Sequence, residues 1–248
     1  MNQQEIIIGI IGGSGLDDPK ILEKPITKII NTPYGKPSDK LTIGKISNKK
    51  VVILPRHNKK HTLNPTNVPY QANIWALKQA GCTHILATTA CGSLKEEFTP
   101  GELVFPDQFI DFTKLRNLTF FHNKVIHTAM AQPFDEKLRQ KLAQTAKQLK
   151  IKYHASGTIV TIEGPRFSTI AESKMFQLLG ADLINMSTVP EVILAAELAI
   201  PYQSIAMVTD YDCWKKGEVP VSFEMILERM KENSEKVKKL LTEVVKAI

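Results

Sequence analysis

Two carboxylates stand two residues apart late in the chain. The run Ser204 to Val208 predicts a buried strand, and Asp210 and Asp212 follow it closely. In extended backbone, residues two apart point to the same side, so both carboxylates are expected to face one ligand. They could bind a metal, accept hydrogens from the amino group of a base or act as a general acid, and a structural turn cap is the plain alternative. Metal binding is the weakest of these, since no histidine or further carboxylate accompanies the pair.

Groups that could bind an anion follow two earlier strands. Arg56 and His57 come directly after the predicted strand Val51 to Leu54, and an arginine fork there suits phosphate oxygens while the imidazole adds a nearby donor. Thr88 to Ser93 ends the next strand with hydroxyls and an amide-rich turn. Cys91 lies in that segment, but no base is paired with it in sequence, which favours a small buried residue over a nucleophile.

A glycine cluster, Gly12 to Gly15, follows the first predicted strand. Ser14 and the backbone amides of such a turn could bind phosphate, and a plain tight turn is the alternative. Asp18 stands where the dinucleotide fingerprint needs its third glycine, and no Gly-Lys-Ser/Thr follows as in a P-loop.

Short β-branched runs alternate with amphipathic segments, the pattern of an α/β fold with helices on both faces of a buried sheet. The predicted strands are Ile6 to Ile11, Val51 to Leu54, Ile85 to Thr89, Gly157 to Ile162, Leu183 to Met186 and Ser204 to Val208. The predicted helices are Asn67 to Gly81 (capped by Asn67), Asp135 to Lys150, Thr169 to Gly180 (with a Thr-x-x-Glu capping box), Glu191 to Ala199 and Phe223 to Ile248.

Length and composition bound the class of protein. The chain has 248 residues, 43% apolar and 23% charged, which predicts one globular domain over residues 1–248. No early apolar run approaches the ~18 residues of a membrane helix, and the N-terminus has no positive segment of a signal peptide. Three widely spaced cysteines fit a reducing compartment, so a cytoplasmic location is expected.

The net charge of +7 includes a stretch, Gly44 to Lys60, with six cations and no acid. A nucleic acid or a small phosphorylated ligand would explain such a stretch. Solvated lysines on an exposed hairpin are the alternative, and charge alone does not decide between them.

Six motifs in order along nearly the whole chain resemble the purine nucleoside phosphorylase family. They are Gly12-Gly13-Ser14-Gly15-Leu16, Arg56-His57, Thr88-Thr89-Ala90-Cys91-Gly92-Ser93, Glu163-Gly164-Pro165-Arg166-Phe167-Ser168, Asn185-Met186-Ser187 and Thr209-Asp210-Tyr211-Asp212. Tyr70 to Leu77 and Asp210 to Trp214 are most similar to the members that act on 5'-methylthioadenosine. The resemblance implies an α/β fold with a mixed central sheet flanked by helices, and a homotrimer.

The resemblance also implies roles for individual residues. Phosphate would lie among Ser14, Arg56, His57, Thr89, Ala90 and Ser187. The nucleoside would contact Phe167, Ser168, Met186, Asp210, Asp212, Phe223, Ile226 and Leu227, with Asp210 and Asp212 catalytic at the base and Phe223 making the 5' pocket shallower. His127 would reach the site of a neighbouring subunit.

The function implied is phosphorolysis of 5'-methylthioadenosine to adenine and 5-methylthioribose 1-phosphate, in methionine and purine salvage. Phosphate would be a co-substrate, with no metal or organic cofactor, no nucleic acid and no membrane as partner. The alternatives are a phosphorylase of 6-oxopurine nucleosides or methylthioinosine and, more remotely, a basic nucleic-acid-binding module. A carboxylate at Asp210 favours a 6-amino group, because a 6-oxo group prefers a donor such as asparagine.

Overall fold

The computed structural model describes residues 5–12, 21–218 and 222–248. Within these ranges eleven strands form one mixed sheet: β1 (Ile7–Gly12), β2 (Glu23–Lys28), β3 (Leu41–Ile46), β4 (Lys49–Pro55), β5 (His84–Ser93), β6 (Leu103–Val104), β7 (Gln108–Phe112), β8 (Tyr153–His154), β9 (Thr158–Ile162), β10 (Leu183–Asn185) and β11 (Tyr202–Asp210). The helices are α1 (Tyr70–Gln79), α2 (Glu136–Gln148), α3 (Ile170–Leu178), α4 (Thr188–Glu197) and α5 (Phe223–Ala247). The predicted mixed-sheet α/β class is confirmed.

Strand β1 shows why the apolar runs are continuous. Ile7 and Ile11 pack in the cluster that contains α1 and α4, whereas Ile8 and Ile10 pack in the cluster that contains α2 and α5. Because alternate residues of a strand face opposite sides, a sheet covered on both faces needs apolar residues at every position.

Four parallel strands bring their carboxyl ends to one edge of the sheet. β1 pairs in parallel with β4 and β5, and β5 pairs in parallel with β11. The sheet order runs β2-β3-β4-β1-β5-β10-β9-β7, with β11 on β5, β6 on β11 and β8 on β6. Open parallel sheets place ligands beyond this edge.

Strand β5 is longer than predicted and has two partners along its length. Ile85 to Cys91 pair with β11 in parallel, and Gly92 and Ser93 then pair with β10 in antiparallel fashion. Residues 90–93, expected in a turn at the end of the strand, therefore lie within it.

Helix boundaries follow the local signals in all but one case. The capping box of Thr169 and Glu172 opens α3 as predicted, and Gly81 and Gly180 adopt positive φ just past α1 and α3. The prediction that Asn67 caps a helix is wrong. The Asn64 side chain accepts a hydrogen bond from the Asn67 N–H and caps a single 3₁₀ turn. Helix α1 then begins after Pro69 without a side-chain cap.

The basic stretch forms the antiparallel hairpin β3–β4, with Lys45 exposed and Lys49 and Lys50 half-buried. Arg56, by contrast, turns inward and is only 2% exposed. The stretch is thus divided between a hairpin surface and the interior. No helix in the described ranges is long and apolar enough to cross a membrane.

Candidate active site

A cavity of about 380 Å³ opens at the edge where the parallel strands end. Twelve of the fifteen predicted site residues line it: Arg56, His57, Thr89, Ala90, Phe167, Ser168, Met186, Ser187, Asp210, Asp212, Ile226 and Leu227. Ser14 lies outside the described residues, as does the side chain of Phe223. His127 is exposed in the segment after β7 and does not line the cavity of its own chain.

Arg56 is held by a carboxylate from α4. Its Nε and Nη2 donate to the two Glu191 oxygens at 2.5 and 2.9 Å, and its Nη1 donates to the Thr88 carbonyl at 2.7 Å. Burial alone would lower the pKa of the guanidinium, but the Glu191 charge and hydrogen bonds raise it above its ordinary value. Three of its five N–H groups are used, so two remain for a ligand in the cavity.

A chain of hydroxyl and amide groups lies beside Arg56. The hydroxyls of Thr89 and Ser187 are 2.8 Å apart, and Asn185 Nδ2 donates to both Thr89 Oγ1 and Thr188 Oγ1. The Thr161 hydroxyl donates to Asn185 Oδ1 at 2.8 Å, which fixes the orientation of the amide. The Thr89 hydroxyl can also donate to the Ala90 carbonyl at 3.1 Å, and when it donates to Ser187 instead, the Ser187 O–H is left to donate to an anion.

His57 has one ring nitrogen engaged with the backbone. Nδ1 lies 2.8 Å from the Leu63 carbonyl oxygen, which accepts a hydrogen bond from the Nδ1–H group. Burial, and then the neighbouring Arg56 charge, lower the pKa of the imidazole to about 4. The sequence suggested that His57 offers an anion a donor, but in the structure the one N–H of the neutral ring is used by Leu63.

At the other end of the cavity, burial raises the pKa of Asp210 above its ordinary value. Hydrogen bonds from the Thr209 hydroxyl and the Asp212 N–H, both at 2.7 Å, oppose that shift without cancelling it. A carboxyl with a raised pKa can hold a proton closer to neutral pH, as a general acid requires.

Asp212 shares the cavity with Asp210 for a reason other than the one predicted. Strand β11 ends at Asp210, and Asp212 adopts left-handed backbone with φ of +52°. The prediction of extended geometry for the pair is therefore wrong. A hydrogen bond from the Asp212 N–H to Asp210 Oδ1 holds the two residues together instead. Ser168 Oγ lies 2.7 Å from both Asp212 carboxylate oxygens, so this carboxylate also has a hydroxyl donor.

Gly92 permits the approach of β5 to these carboxylates. A Cβ at this position would lie 3.0 Å from Asp210 Oδ1 and 3.2 Å from the Asp212 Cβ. A side chain would press on both carboxylates, so glycine maintains their position.

Apolar side chains form the remaining walls. Phe167 and Met186 lie on one side, and Ile226, Leu227 and Met230 of α5 on another. A Cβ at Gly164 would meet Met186 Sδ at 2.7 Å, so the Met186 thioether occupies space that only glycine leaves open. The cavity therefore combines an anion-binding end, a carboxylate end and apolar walls between them.

The expectation for Cys91 as a small buried residue is supported. Its side chain is buried, its Sγ donates to the Met207 carbonyl at 3.3 Å, and burial raises the pKa of the thiol well above its ordinary value. A thiol kept protonated is a poor nucleophile. In the described part of the chain, no three His, Cys, Asp or Glu side chains cluster as a metal site would require.

Glu191 and Tyr202 are functional neighbours that sequence analysis missed. Glu191 is fully buried, and its Oε2 also accepts from the Tyr202 hydroxyl at 2.9 Å. Asn185 was part of a motif but had no assigned role. An acid inside the apolar helix α4 is the one sequence signal that could have pointed to a buried cation as its partner.

Comparison with known proteins agrees with this geometry. The Phosphorylase superfamily profile matches residues 7–246. S-methyl-5'-thioadenosine phosphorylase of Xenopus tropicalis is 56% identical over 97% of this chain and 88% of its own, and that of Danio rerio is 54% identical over 100% and 90%. Methylthioadenosine phosphorylase from Schistosoma mansoni in complex with adenine has a TM-score of 0.95 at 44% identity, covering 98% of this chain and 92% of that one.

Proposed function

Because the chain belongs to the phosphorylase superfamily, we propose that it catalyses phosphorolysis of 5'-methylthioadenosine to adenine and 5-methylthioribose 1-phosphate. This makes it a pentosyltransferase of the purine nucleoside phosphorylase type. Two relatives that are more than 50% identical over nearly the whole of this chain are methylthioadenosine phosphorylases. A mutant of the adenosine/methylthioadenosine phosphorylase from Schistosoma mansoni, with a TM-score of 0.93 and 44% identity, was solved in complex with methylthioadenosine.

The observation that carries this proposal is the pairing of two unlike ends in one cavity. Arg56, Thr89 and Ser187 provide a cation and hydroxyl donors at one end, and Asp210 and Asp212 provide carboxyls at the other. A phosphate at the first end would face the sugar carbon of a nucleoside whose base lies at the second. Holding both reactants in line removes much of the entropic barrier to their reaction.

The chemistry follows from these positions. A phosphate oxygen bonds to C1' of the sugar as the bond from C1' to N9 of adenine breaks, and the electron pair of that bond passes into the purine ring. Asp210, whose pKa burial raises, delivers a proton or a strong hydrogen bond to N7 and so stabilises the departing base. The other Asp210 oxygen accepts a hydrogen from the 6-amino group, and Asp212, held by the Ser168 hydroxyl, would lie beside it.

The remaining walls suit the apolar part of the substrate. Met186 would lie under the ribose, Phe167 near the base, and Ile226 and Leu227 near the 5' group. A methylthio group buried against aliphatic carbon gains about 0.8 kcal/mol per CH₂ equivalent, whereas a 5'-hydroxyl there would lose hydrogen bonds to water.

The proposed reaction uses inorganic phosphate as co-substrate and no metal or organic cofactor. The support is the donor set itself, since Arg56 and the Thr89 and Ser187 hydroxyls supply the charge and hydrogen bonds that a phosphate dianion needs.

We further propose a homotrimer in which His127 reaches the cavity of a neighbouring subunit. The segment that carries it exposes apolar side chains: Leu115 is 76% exposed, Val125 83% and Ile126 40%. Contact between subunits would cover such side chains. A cytoplasmic role in methionine and purine salvage accords with the proposed products.

One assay tests the central proposal. The protein is incubated with 5'-methylthioadenosine, adenosine, inosine or guanosine, with and without phosphate, and the released base and sugar product are identified. We expect adenine and a sugar 1-phosphate from methylthioadenosine only when phosphate is present. Faster release of a 6-oxopurine, or release without phosphate at an equal rate, would overturn the proposal.

A further inference from the structure

His57 differs from its neighbours in what it can offer a bound anion. Arg56 has two N–H groups left for a ligand, and a guanidinium can only donate. The hydroxyls of Thr89 and Ser187 can turn either to donate or to accept. Such groups bind sulfate as readily as phosphate, because both anions present four oxygens of similar geometry, whereas a nitrogen that can only accept does not adapt in this way.

The hydrogen bond to Leu63 fixes the tautomer of His57. A backbone carbonyl can only accept, so the proton of the 2.8 Å contact is carried by Nδ1. In a neutral imidazole the other nitrogen, Nε2, then bears a lone pair and no hydrogen. Nε2 has no hydrogen-bond partner among residues 5–12, 21–218 and 222–248, and the ring lines the cavity.

The surroundings of His57 keep the ring neutral. The charged or titratable groups that act on it are Arg56 at the end of β4, Arg116 in the segment after β7, and His61, whose ring centroid lies 4.9 Å away. No carboxylate in the described ranges forms a salt bridge with the ring. Burial and these neighbours together lower the pKa of His57 to about 4, so at neutral pH Nε2 remains an acceptor.

We propose that Nε2 of His57 accepts a hydrogen bond from the P–OH group of bound hydrogen phosphate and thereby makes the site discriminate phosphate from sulfate. Near neutral pH phosphate carries at least one P–OH group, whereas sulfate carries none. A sulfate oxygen facing Nε2 would place two lone pairs against each other and leave a buried acceptor unpaired, which is costly.

The same contact assigns the proton to one oxygen of the phosphate. The oxygen that faces His57 holds the hydrogen, so an oxygen that faces the sugar is unprotonated and free to bond to C1'. His57 is a specificity and positioning residue in this role and takes no proton in the reaction. The inference rests on the proposed phosphorylase function, which supplies phosphate as the ligand.

The test compares two anions at one site. The KM for phosphate and the inhibition constant of sulfate competing with phosphate are measured with methylthioadenosine in wild type and in His57→Ala. We expect the ratio of the sulfate inhibition constant to the phosphate KM to fall by about tenfold or more, since the variant removes the unpaired buried acceptor that only sulfate meets. Thr89→Val is the matched control, because it removes a donor that both anions use and should leave the ratio nearly unchanged.

A second measurement reports the tautomer without relying on turnover. In ¹⁵N spectra of histidine-labelled wild type, assigned by comparison with His57→Ala, His57 should show a protonated Nδ1 and an unprotonated Nε2 at pH 7. An unchanged anion ratio in His57→Ala, or a protonated Nε2 in wild type, overturns this inference and leaves the proposed function intact. If wild type lacks phosphate-dependent turnover, the proposed function fails instead, and calorimetric titration of both variants with phosphate and sulfate still decides the anion selectivity.

Discussion

The guanidinium of Arg56 and the carboxylate of Glu191 form a paired set of hydrogen bonds, at 2.5 and 2.9 Å, although 135 residues separate them in sequence. Both side chains are buried, with 2% and 0% exposure. The pair fixes the plane of the guanidinium and the direction of its two unused N–H groups, so Glu191 would position Arg56 for the proposed phosphate.

Breaking this pair should be costly. Glu191→Gln keeps the shape of the side chain but leaves the Arg56 charge uncompensated, and we expect the free energy of unfolding to fall by about 3 kcal/mol. Tyr202→Phe is the control, because it removes only the hydroxyl that donates to Glu191 Oε2 and should cost about 1 kcal/mol. Urea unfolding at one protein concentration measures both. Equal losses of unfolding free energy in the two variants would show that the Glu191 charge does not contribute to stability.

Turnover should require phosphate and survive chelation. Since side-chain donors hold the anion, dialysis against EDTA is expected to leave kcat unchanged, and Arg56→Ala is expected to raise the KM for phosphate far more than the KM for methylthioadenosine. Steady-state rates with varied phosphate measure this. Activity lost on chelation and restored by a divalent cation would contradict the proposal.

Asp210→Asn should move substrate preference from 6-aminopurine toward 6-oxopurine nucleosides. The asparagine amide can donate to a 6-oxo group but has no carboxylic proton for N7, so the rate on methylthioadenosine should also fall. Sites built for one hydrogen-bond pattern reject the mismatched analogue by up to ~10⁴, so a partial reversal is measurable.

The quantity to compare is kcat/KM for methylthioadenosine against inosine. Ser168→Ala serves as the control, because it removes the donor to Asp212 and leaves the bonds of Asp210 in place. A ratio that stays constant in Asp210→Asn would show that Asp210 does not distinguish the 6-substituent.

Stability should fall between pH 6.5 and pH 4 in a way that depends on His57. The folded pKa of about 4 is below the unfolded value of 6.5, so in this window the unfolded chain binds a proton that the folded chain excludes. At pH 5 this costs about 2 kcal/mol relative to pH 7. His57→Asn should lose that part of the pH dependence in urea unfolding. Parallel pH profiles for wild type and His57→Asn would exclude this effect.

His127 should act on the cavity of a neighbouring subunit. Subunits carrying His127→Ala and subunits carrying Arg56→Ala are each expected to have low activity alone. Mixed assemblies, formed by co-expression, should recover activity where an intact cavity meets an intact His127. Light scattering should give the mass of a trimer. A fully active monomer, or mixed assemblies no more active than their parents, would contradict this arrangement.

Local signals in the sequence predicted much of the fold. The capping box at Thr169, the glycines that end α1 and α3, and the polar residues after β4 and β11 all depend on neighbours in the chain. The pairing of Arg56 with Glu191 depends on how α4 packs over the sheet, which no local pattern contains. The same holds for the start of α1, where Asn64 forms a turn that competes with the predicted cap.

The site residues divide in the same way. The resemblance to the purine nucleoside phosphorylase family predicted most of the side chains that meet in the cavity, but not their protonation or the direction of their hydrogen bonds. The interpretation of His57 as a donor depended on residue type alone, whereas the carbonyl of Leu63 determines which nitrogen holds the proton.

Strand β5 sets a fixed distance between the two proposed binding regions of the cavity. Thr89 and Ala90 belong to the proposed phosphate site, and Gly92 lies against the carboxylates. Two or three residues of extended chain span roughly 7–10 Å, and this spacing belongs to a backbone that pairs with β11 along this stretch rather than to any side chain. Substitutions in the cavity can therefore change which base or 5' group is accepted. The separation between base and anomeric carbon that the cavity accommodates stays constant. An engineered enzyme of this fold should accept altered purines far more readily than nucleosides with an atom inserted into the glycosidic bond.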